Sequence, residues 1–412
     1  MAHQIATSLC WNEPIAYFTY PGPGPNPVAL FVISLDANGN LNVYQQLPGG
    51  NWSKFPPPTA PTTFISVVGV PNFIIALGVD KFLYISVFAQ GGWSAFSQLP
   101  QPINTILSTP QPISDFSAVW FPGNIMIVSV VDNNVGQNDF NIGLYSCCLD
   151  YSGGNVASPV SGATWYFVLE TTAAVATSGP AIPALSAGWY TPGTFIPTIP
   201  LAAILPDSSD VGCWYNNNGS LSNPYPFTTG NPAPLYVYSA QDILTAILLT
   251  IGANNTLQLI ILMNGQPWLF TSPDGINWTQ LGNLLPSNVS NPPSFNKIAA
   301  GLGNSSNLQV VALGNNGSGQ LPYLFWQYNV DSSWSLFQFD SQNGGPVGAL
   351  NNPFTNLGGI TPVDLAIGLG WNGASSALQV AYLGSDYNIY LSWQDNEGNW
   401  YSYAGHEGTG LP

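Results

Sequence analysis

Apolar and polar positions fall along this chain in short runs, and the runs recur in groups of four. The last group reads VDLAIGLG (363–370), LQVAYLG (378–384), NIYLSWQ (388–394) and NEGNWYSY (396–403). Each run is rich in β-branched and aromatic residues and is bounded by Gly, Asn, Ser or Asp, the pattern of strands joined by tight turns. The group before it reads KIAAGLG, LQVVALG, LPYLFWQ and DSSWSLF (297–337). A third reads DILTAILLTIG, LQLIILM, PWLFTS and DGINWTQLG (242–282). Looser copies occupy 62–96 and 114–168. No segment sustains a 3.6-residue apolar period over a helical length, so the chain is expected to be all-β.

A polar residue opens most groups, and a tryptophan follows roughly 36 to 39 positions later: Glu13 and Trp52, Asp242 and Trp278, Lys297 and Trp334, Asp364 and Trp400. Self-similarity at this period marks an array of small β units. Four strands per unit, repeated radially, is a β-propeller, which leaves only short, protected edges. Clear units end at Trp52, Trp93, Trp165, Trp278, Trp334 and Trp400. The gap between Trp165 and Asp242 holds room for a degraded unit, with GCWYNNNGS (212–220) and PLYVYSA (234–240) as its remnants. Seven blades are favoured, with six as the alternative. The repeat runs end to end, so 1–412 reads as one propeller domain, with IATSLCW (5–11) expected to pair with the last unit and close the ring.

Charged residues make up only 5% of the chain, against about 25% in ordinary globular proteins. There are three lysines and no arginine, and the net charge is −16, which excludes nucleic acid as a partner because phosphate neutralisation needs Lys and Arg. An anionic membrane surface is disfavoured for the same reason, and the longest apolar run, 243–253, is too short to span a bilayer. A surface of Asn, Ser, Thr and acidic groups points to the secretory pathway, although no signal peptide opens the chain. Seven Asn-X-Ser/Thr sequons, at Asn51, Asn218, Asn254, Asn277, Asn288, Asn304 and Asn316, are compatible with that route. Cys10, Cys147, Cys148 and Cys213 permit two disulfides or buried thiols.

In a propeller the first strand of each blade lines the central channel. Residues opening those strands converge on one mouth: Glu13, Asp115, Asp242, Lys297 and Asp364, with Tyr17, Trp120 and Trp371 as aromatic neighbours. A pocket of apolar walls with a few converging polar groups is the expected ligand site, and crowded carboxylates there would serve as acid or base. The alternative is that these are turn residues facing water. No metal is expected, because His3 and His406 stand alone and no DxDxDG loop occurs. No cofactor is expected either, since no Gly-rich nucleotide fingerprint is present. SPDGINW (272–278) resembles the Asp-box turn of sialidase-like propellers, but an arginine-free chain cannot clamp a sialic acid carboxylate.

The units IYLSWQDNEGNW (389–400) and LYISVFAQGGW (83–93) resemble the blades of W-motif β-propeller lectins and, more distantly, fungal fucose-specific lectins. That resemblance implies carbohydrate binding without catalysis, though the arginine that fucose-specific sites use is missing. In size, low charge, cysteines and sequons the chain also resembles the secreted fungal hetero-Diels–Alderases of tropolonic sesquiterpenoid pathways. That resemblance implies a cofactor-free dehydration of a tropolone alcohol to a quinone methide, captured by a humulene-type alkene, with hydrophobic small molecules as substrates. No short motif of that family matches, so no residue role comes from it. On the channel-mouth argument, Asp364 or Asp242 would be the acid/base and Lys297 the polariser. Trp120 and Trp371 would be apolar walls, and Glu13, Tyr17 and Asp115 further substrate contacts.

Overall fold

The computed structural model describes residues 15–20, 29–46, 52–70, 72–89, 91–103, 110, 112–121, 125–135, 140–150, 160, 163–173, 185–187, 200–204, 210–215, 233–237, 244–251, 256–273, 278–287, 289, 291–302, 308–315, 320–326, 334–338, 361–371, 376–394 and 400–402. These form seven antiparallel sheets in chain order. Sheet 1 comprises Ile15–Tyr20, Ala29–Leu35, Leu41–Gln46 and Trp52–Phe55. Sheet 2 comprises Phe64–Val70, Phe73–Gly78, Leu83–Ala89 and Gly92–Trp93, with Ser97–Gln98 also pairing to its third strand. Sheet 3 comprises Ile113–Phe121, Ile125–Val135, Phe140–Asp150 and Thr164–Ala173. The degraded unit of the sequence supplies sheet 4: Leu185–Ala187, Pro200–Ile204, Asp210–Tyr215 and Ala233–Val237. Sheet 5 comprises Leu244–Ile251, Leu257–Met263, Gln266–Ser272 and Thr279–Asn283. Sheet 6 comprises Ser294–Leu302, Leu308–Asn315, Gln320–Trp326 and Ser335–Gln338. Sheet 7 comprises Pro362–Trp371, Ser376–Gly384, Ile389–Gln394 and Trp400–Ser402.

The first strand of each sheet touches the first strand of the next, and that of sheet 7 touches that of sheet 1. The sheets therefore stand in a closed ring with their first strands around the axis, the arrangement of a β-propeller. No helix among the described residues is long and apolar enough to cross a membrane. The segment 5–11, expected to pair with the last unit, lies outside the described residues.

Sheets 1, 2, 6 and 7 are covered on both faces by their neighbours, so their middle strands read as continuous apolar runs rather than alternating ones. Phe73–Gly78 is buried at every position, and Leu308–Gly314 likewise. One core lies between sheets 1 and 2, where Phe31, Ile33 and Val43 meet Phe64, Val67 and Tyr84. Similar cores join sheets 2 and 3, 5 and 6, 6 and 7, and 7 and 1. The repeated tryptophans are wedges in these seams. Trp52, only 6% exposed, sits with Leu383 and Leu391 of sheet 7. Trp93, Trp165 and Trp334 pack on the cores between their own sheet and the preceding one.

Backbone hydrogen bonds also join neighbouring sheets. The turn between second and third strands carries a residue in the left-handed region: Gly39 (φ 77), Lys81 (φ 67) and Gly265 (φ 71) in sheets 1, 2 and 5. Its carbonyl accepts the N–H of a residue entering the first strand of the next sheet: Phe64 to Gly39 at 2.8 Å, Ile113 to Lys81 at 3.2 Å, Phe295 to Gly265 at 2.8 Å. The left-handed conformation reverses the chain in a few residues, and glycine adopts it without steric cost. At Gly39 a Cβ would also run into the Phe64 carbonyl oxygen. Gly39→Ala is expected to cost about 2 kcal/mol, from strain plus displacement of the strand it abuts. The check is the denaturant midpoint, which should fall with the m-value unchanged.

Two of these turns carry an aspartate that accepts a tyrosine hydroxyl four residues on: Tyr84 to Asp80 at 2.6 Å and Tyr390 to Asp386 at 2.7 Å. Burial, then the hydrogen bond and charge of Asp80, push the Tyr84 phenol up to about 12. Tyr390 is raised for the same reasons. A phenol that holds its proton more tightly when folded stabilises the fold fully below its unfolded pKa, near 10. That contribution disappears as pH rises through the folded value. Stability should therefore drop between about pH 10 and 12, and Tyr84→Phe should flatten that drop when denaturation midpoints are plotted against pH.

Candidate functional site

The first strands share an irregularity at their entry. In five sheets the register to the second strand shifts over one residue: between Phe64 and Ser66, Ile113 and Asp115, Leu244 and Ala246, Phe295 and Lys297, and Pro362 and Asp364. Such a bulge bends the strand and re-aims the side chain that follows it. The residues after it are thus equivalent: Ser66, Asp115, Ala246, Lys297 and Asp364. Ser66, Asp115 and Asp364 are buried, and Lys297 keeps 21% of its side chain exposed.

The structure joins two of these residues. Lys297 Nζ lies 3.4 Å from Asp364 Oδ1, across the seam between sheets 6 and 7. Residues 67 positions apart in sequence thus meet because their strands are neighbours around the axis. Asp115 Oδ1 accepts the N–H of Phe116 at 2.9 Å, which anchors its carboxylate to its own strand. A buried side-chain pair, Gln379 Nε2 donating to Gln46 Oε1 at 3.4 Å, crosses the seam between sheets 7 and 1.

Other expected site residues are placed differently. Glu13 and Asp242 lie outside the described residues. Asp242 precedes the strand Leu244–Ile251, and Ala246 holds the register that Lys297 and Asp364 hold in sheets 6 and 7. Tyr17 is mid-strand in sheet 1, opposite Val32. Trp120 pairs with Met126 and Trp371 with Ser376, at the far ends of their strands from Asp115 and Asp364. At ~3.4 Å per residue these are about 17 Å and about 24 Å away. By register, the two tryptophans stand at the opposite ends of their strands from Asp115 and Asp364. Ser66 was missed because its unit opens on no charged landmark; its buried hydroxyl is found only by aligning first strands.

The turns at this same end add charge. Burial raises the Asp36 pKa, but hydrogen bonds from the Asn40 side chain and from the Asn40, Asn38 and Gly39 backbone outweigh it and hold the group below its usual value. Asp386 behaves alike: burial raises it, and bonds from Tyr390 and Asn388 bring it lower. Both are carboxylates at neutral pH. Among the described residues no group of three or more His, Cys, Asp or Glu side chains could hold a metal. Cys147 is fully buried. Cys10 and all seven sequons lie outside the described residues, and Cys148 and Cys213 are placed by strand register alone.

No protein-family model matches the chain, and no curated protein matches it. Among solved structures it is similar to the BP39L lectin from Burkholderia pseudomallei, at 16% identity and a TM-score of 0.59, over 95% of this chain and 99% of that one. It is also similar to a puromycin hydrolase S511A mutant complexed with PGG, at 12% identity and a TM-score of 0.52, over 96% of this chain and 54% of that one. A six-bladed fungal lectin from Aleuria aurantia matches at 13% identity and a TM-score of 0.43, over 98% of this chain and 97% of that one. The first two likenesses, at this identity, show the fold, a β-propeller.

Removing one partner of a buried ion pair leaves the other uncompensated, at about 3–5 kcal/mol when both are fully sealed. Lys297 is partly open, so Lys297→Met is expected to cost about 2 kcal/mol. Asp364→Asn should cost less, because the lysine left behind still reaches water. The double variant should cost less than the sum of the singles, measured by chemical denaturation as a double-mutant cycle.

Proposed function

We propose that this protein is a carbohydrate-binding β-propeller without catalytic activity. The observation that carries the reading is the likeness of the whole ring to the BP39L lectin, which spans nearly all of both chains. The chemistry supports it. Lys297 and Asp364 lie against each other with opposite charges, so the pair as a whole is neutral. With a net charge of −16 and no arginine, the protein suits a neutral polyhydroxylated ligand better than an ionised one. An extracellular setting, as the sequence suggests, would suit that role.

A second reading rests on the same pair. Lys297 and Asp364, two of the three residues assigned to catalysis from the sequence, do meet, and Lys297 keeps some exposure. In a cofactor-free hetero-Diels–Alderase, Asp364 would take part in the dehydration of the tropolone alcohol and Lys297 would polarise the tropolone oxygens.

One experiment separates the two. The purified protein is expected to bind immobilised neutral glycans and to leave a tropolone alcohol and humulene unchanged. Absence of glycan binding would refute the first reading. Formation of a cycloadduct, lost in Lys297→Ala and Asp364→Ala, would establish the second.

A further inference from the structure

We infer that the residues following the inner-strand bulges form a collar that reads a vicinal diol of a neutral sugar at one opening of the central channel. The inference rests on the carbohydrate-binding reading and assigns it a place. Ser66, Asp115, Lys297 and Asp364 hold one register in four strands that stand around the axis. The bulge turns each of these side chains out of the simple alternation of its strand. The contact of Lys297 with Asp364 demonstrates that a side chain at this register reaches the adjacent strand.

The chemistry of the collar selects its ligand. Lys297 and Asp364 present a donor and an acceptor 3.4 Å apart, with no net charge. A vicinal diol offers an O–H to the carboxylate and an oxygen to the ammonium at about the same spacing, each bond falling in the 2.7–3.2 Å range. The exposed fifth of the Lys297 side chain opens the lysine end of the pair to solvent, while Asp364 is buried. Ser66 adds a hydroxyl that both donates and accepts. An anionic sugar would meet Asp115 and Asp364, and beyond them the ionised Asp36 and Asp386 of the turns at the same end. The five seams whose side chains are described, between sheets 1 and 2, 2 and 3, 5 and 6, 6 and 7, and 7 and 1, are filled instead by apolar cores, with Trp52 6% exposed. The centre therefore carries the recognition.

The test is isothermal titration of the full chain with the methyl glycosides of fucose, galactose, mannose and glucose, and with N-acetylneuraminic acid as the anionic probe. Wild type is expected to bind at least one neutral glycoside at about one per chain, and the anionic sugar more weakly, since one central collar makes one site. Lys297→Met and Asp364→Asn should each weaken binding about tenfold or more, the loss expected when a buried hydrogen-bonding group goes unmatched. The swapped pair, Lys297→Asp with Asp364→Lys, separates recognition from folding: it should recover stability without recovering affinity. Unchanged affinity in both single variants, or several equivalent sites per chain, would overturn the collar and leave the carbohydrate reading standing. Failure of wild type to bind any neutral glycan, on the array as in titration, would remove both.

Discussion

A four-stranded sheet that is apolar on both faces can bury them only against two other sheets, and that constraint organises this molecule. Val32, Ile33 and Phe31 are consecutive and fully buried, which no sheet with one solvated face could tolerate. Neighbours on both sides must themselves be covered on their far faces, and the sequence of sheets ends only when the last meets the first. Closure follows from burial. The seam between sheets 7 and 1 shows the same materials as the others: an apolar core of Val32, Tyr44, Ala381 and Leu391 with Trp52 wedged into it, and a buried glutamine pair across it.

That two-sided burial is also why so much of the fold could be read from the sequence. Runs such as LQVAYLG and LQVVALG are continuous rather than alternating because both faces are inside, and the bounding Gly, Asn and Asp are the turn residues that the left-handed positions demand. Four of the repeated tryptophans, Trp52, Trp93, Trp165 and Trp334, are regular landmarks because they pack at the same place, toward the preceding sheet. The site was legible only in part. Lys297 and Asp364 could be paired from sequence because both open strands in the two most regular units. Asp242 opens its group in the sequence and lies outside the described residues, while the register of the strand that follows puts Ala246 level with Lys297 and Asp364. Trp120 and Trp371 stand close to the acids in sequence, yet a strand climbs about 3.4 Å per residue, so five to seven residues carry the backbone to the other end of the strand.

The clasp between sheets links this architecture to chemistry. The carbonyl of a turn residue in one sheet accepts the N–H of the residue just before the bulge in the next, as Gly39 does for Phe64 and Gly265 for Phe295. The bulge therefore begins where the strand is tied to its neighbour, and the residue after it is held relative to two sheets rather than one. A side chain fixed in this way loses little further freedom when it meets a ligand, which is how pre-organised sites gain affinity.

The same geometry weighs against acid–base work at Lys297 and Asp364. Proton transfer through either group would require separating the two charges that the contact holds together. A catalytic cycle would have to break the pair, leaving a carboxylate that is only 3% exposed without its cation. Hydrogen bonding to hydroxyls asks for no such step, since a diol can donate to a carboxylate and accept from an ammonium while the two stay in contact. A pair that remains intact through the whole binding event fits recognition of an uncharged ligand better than turnover of one.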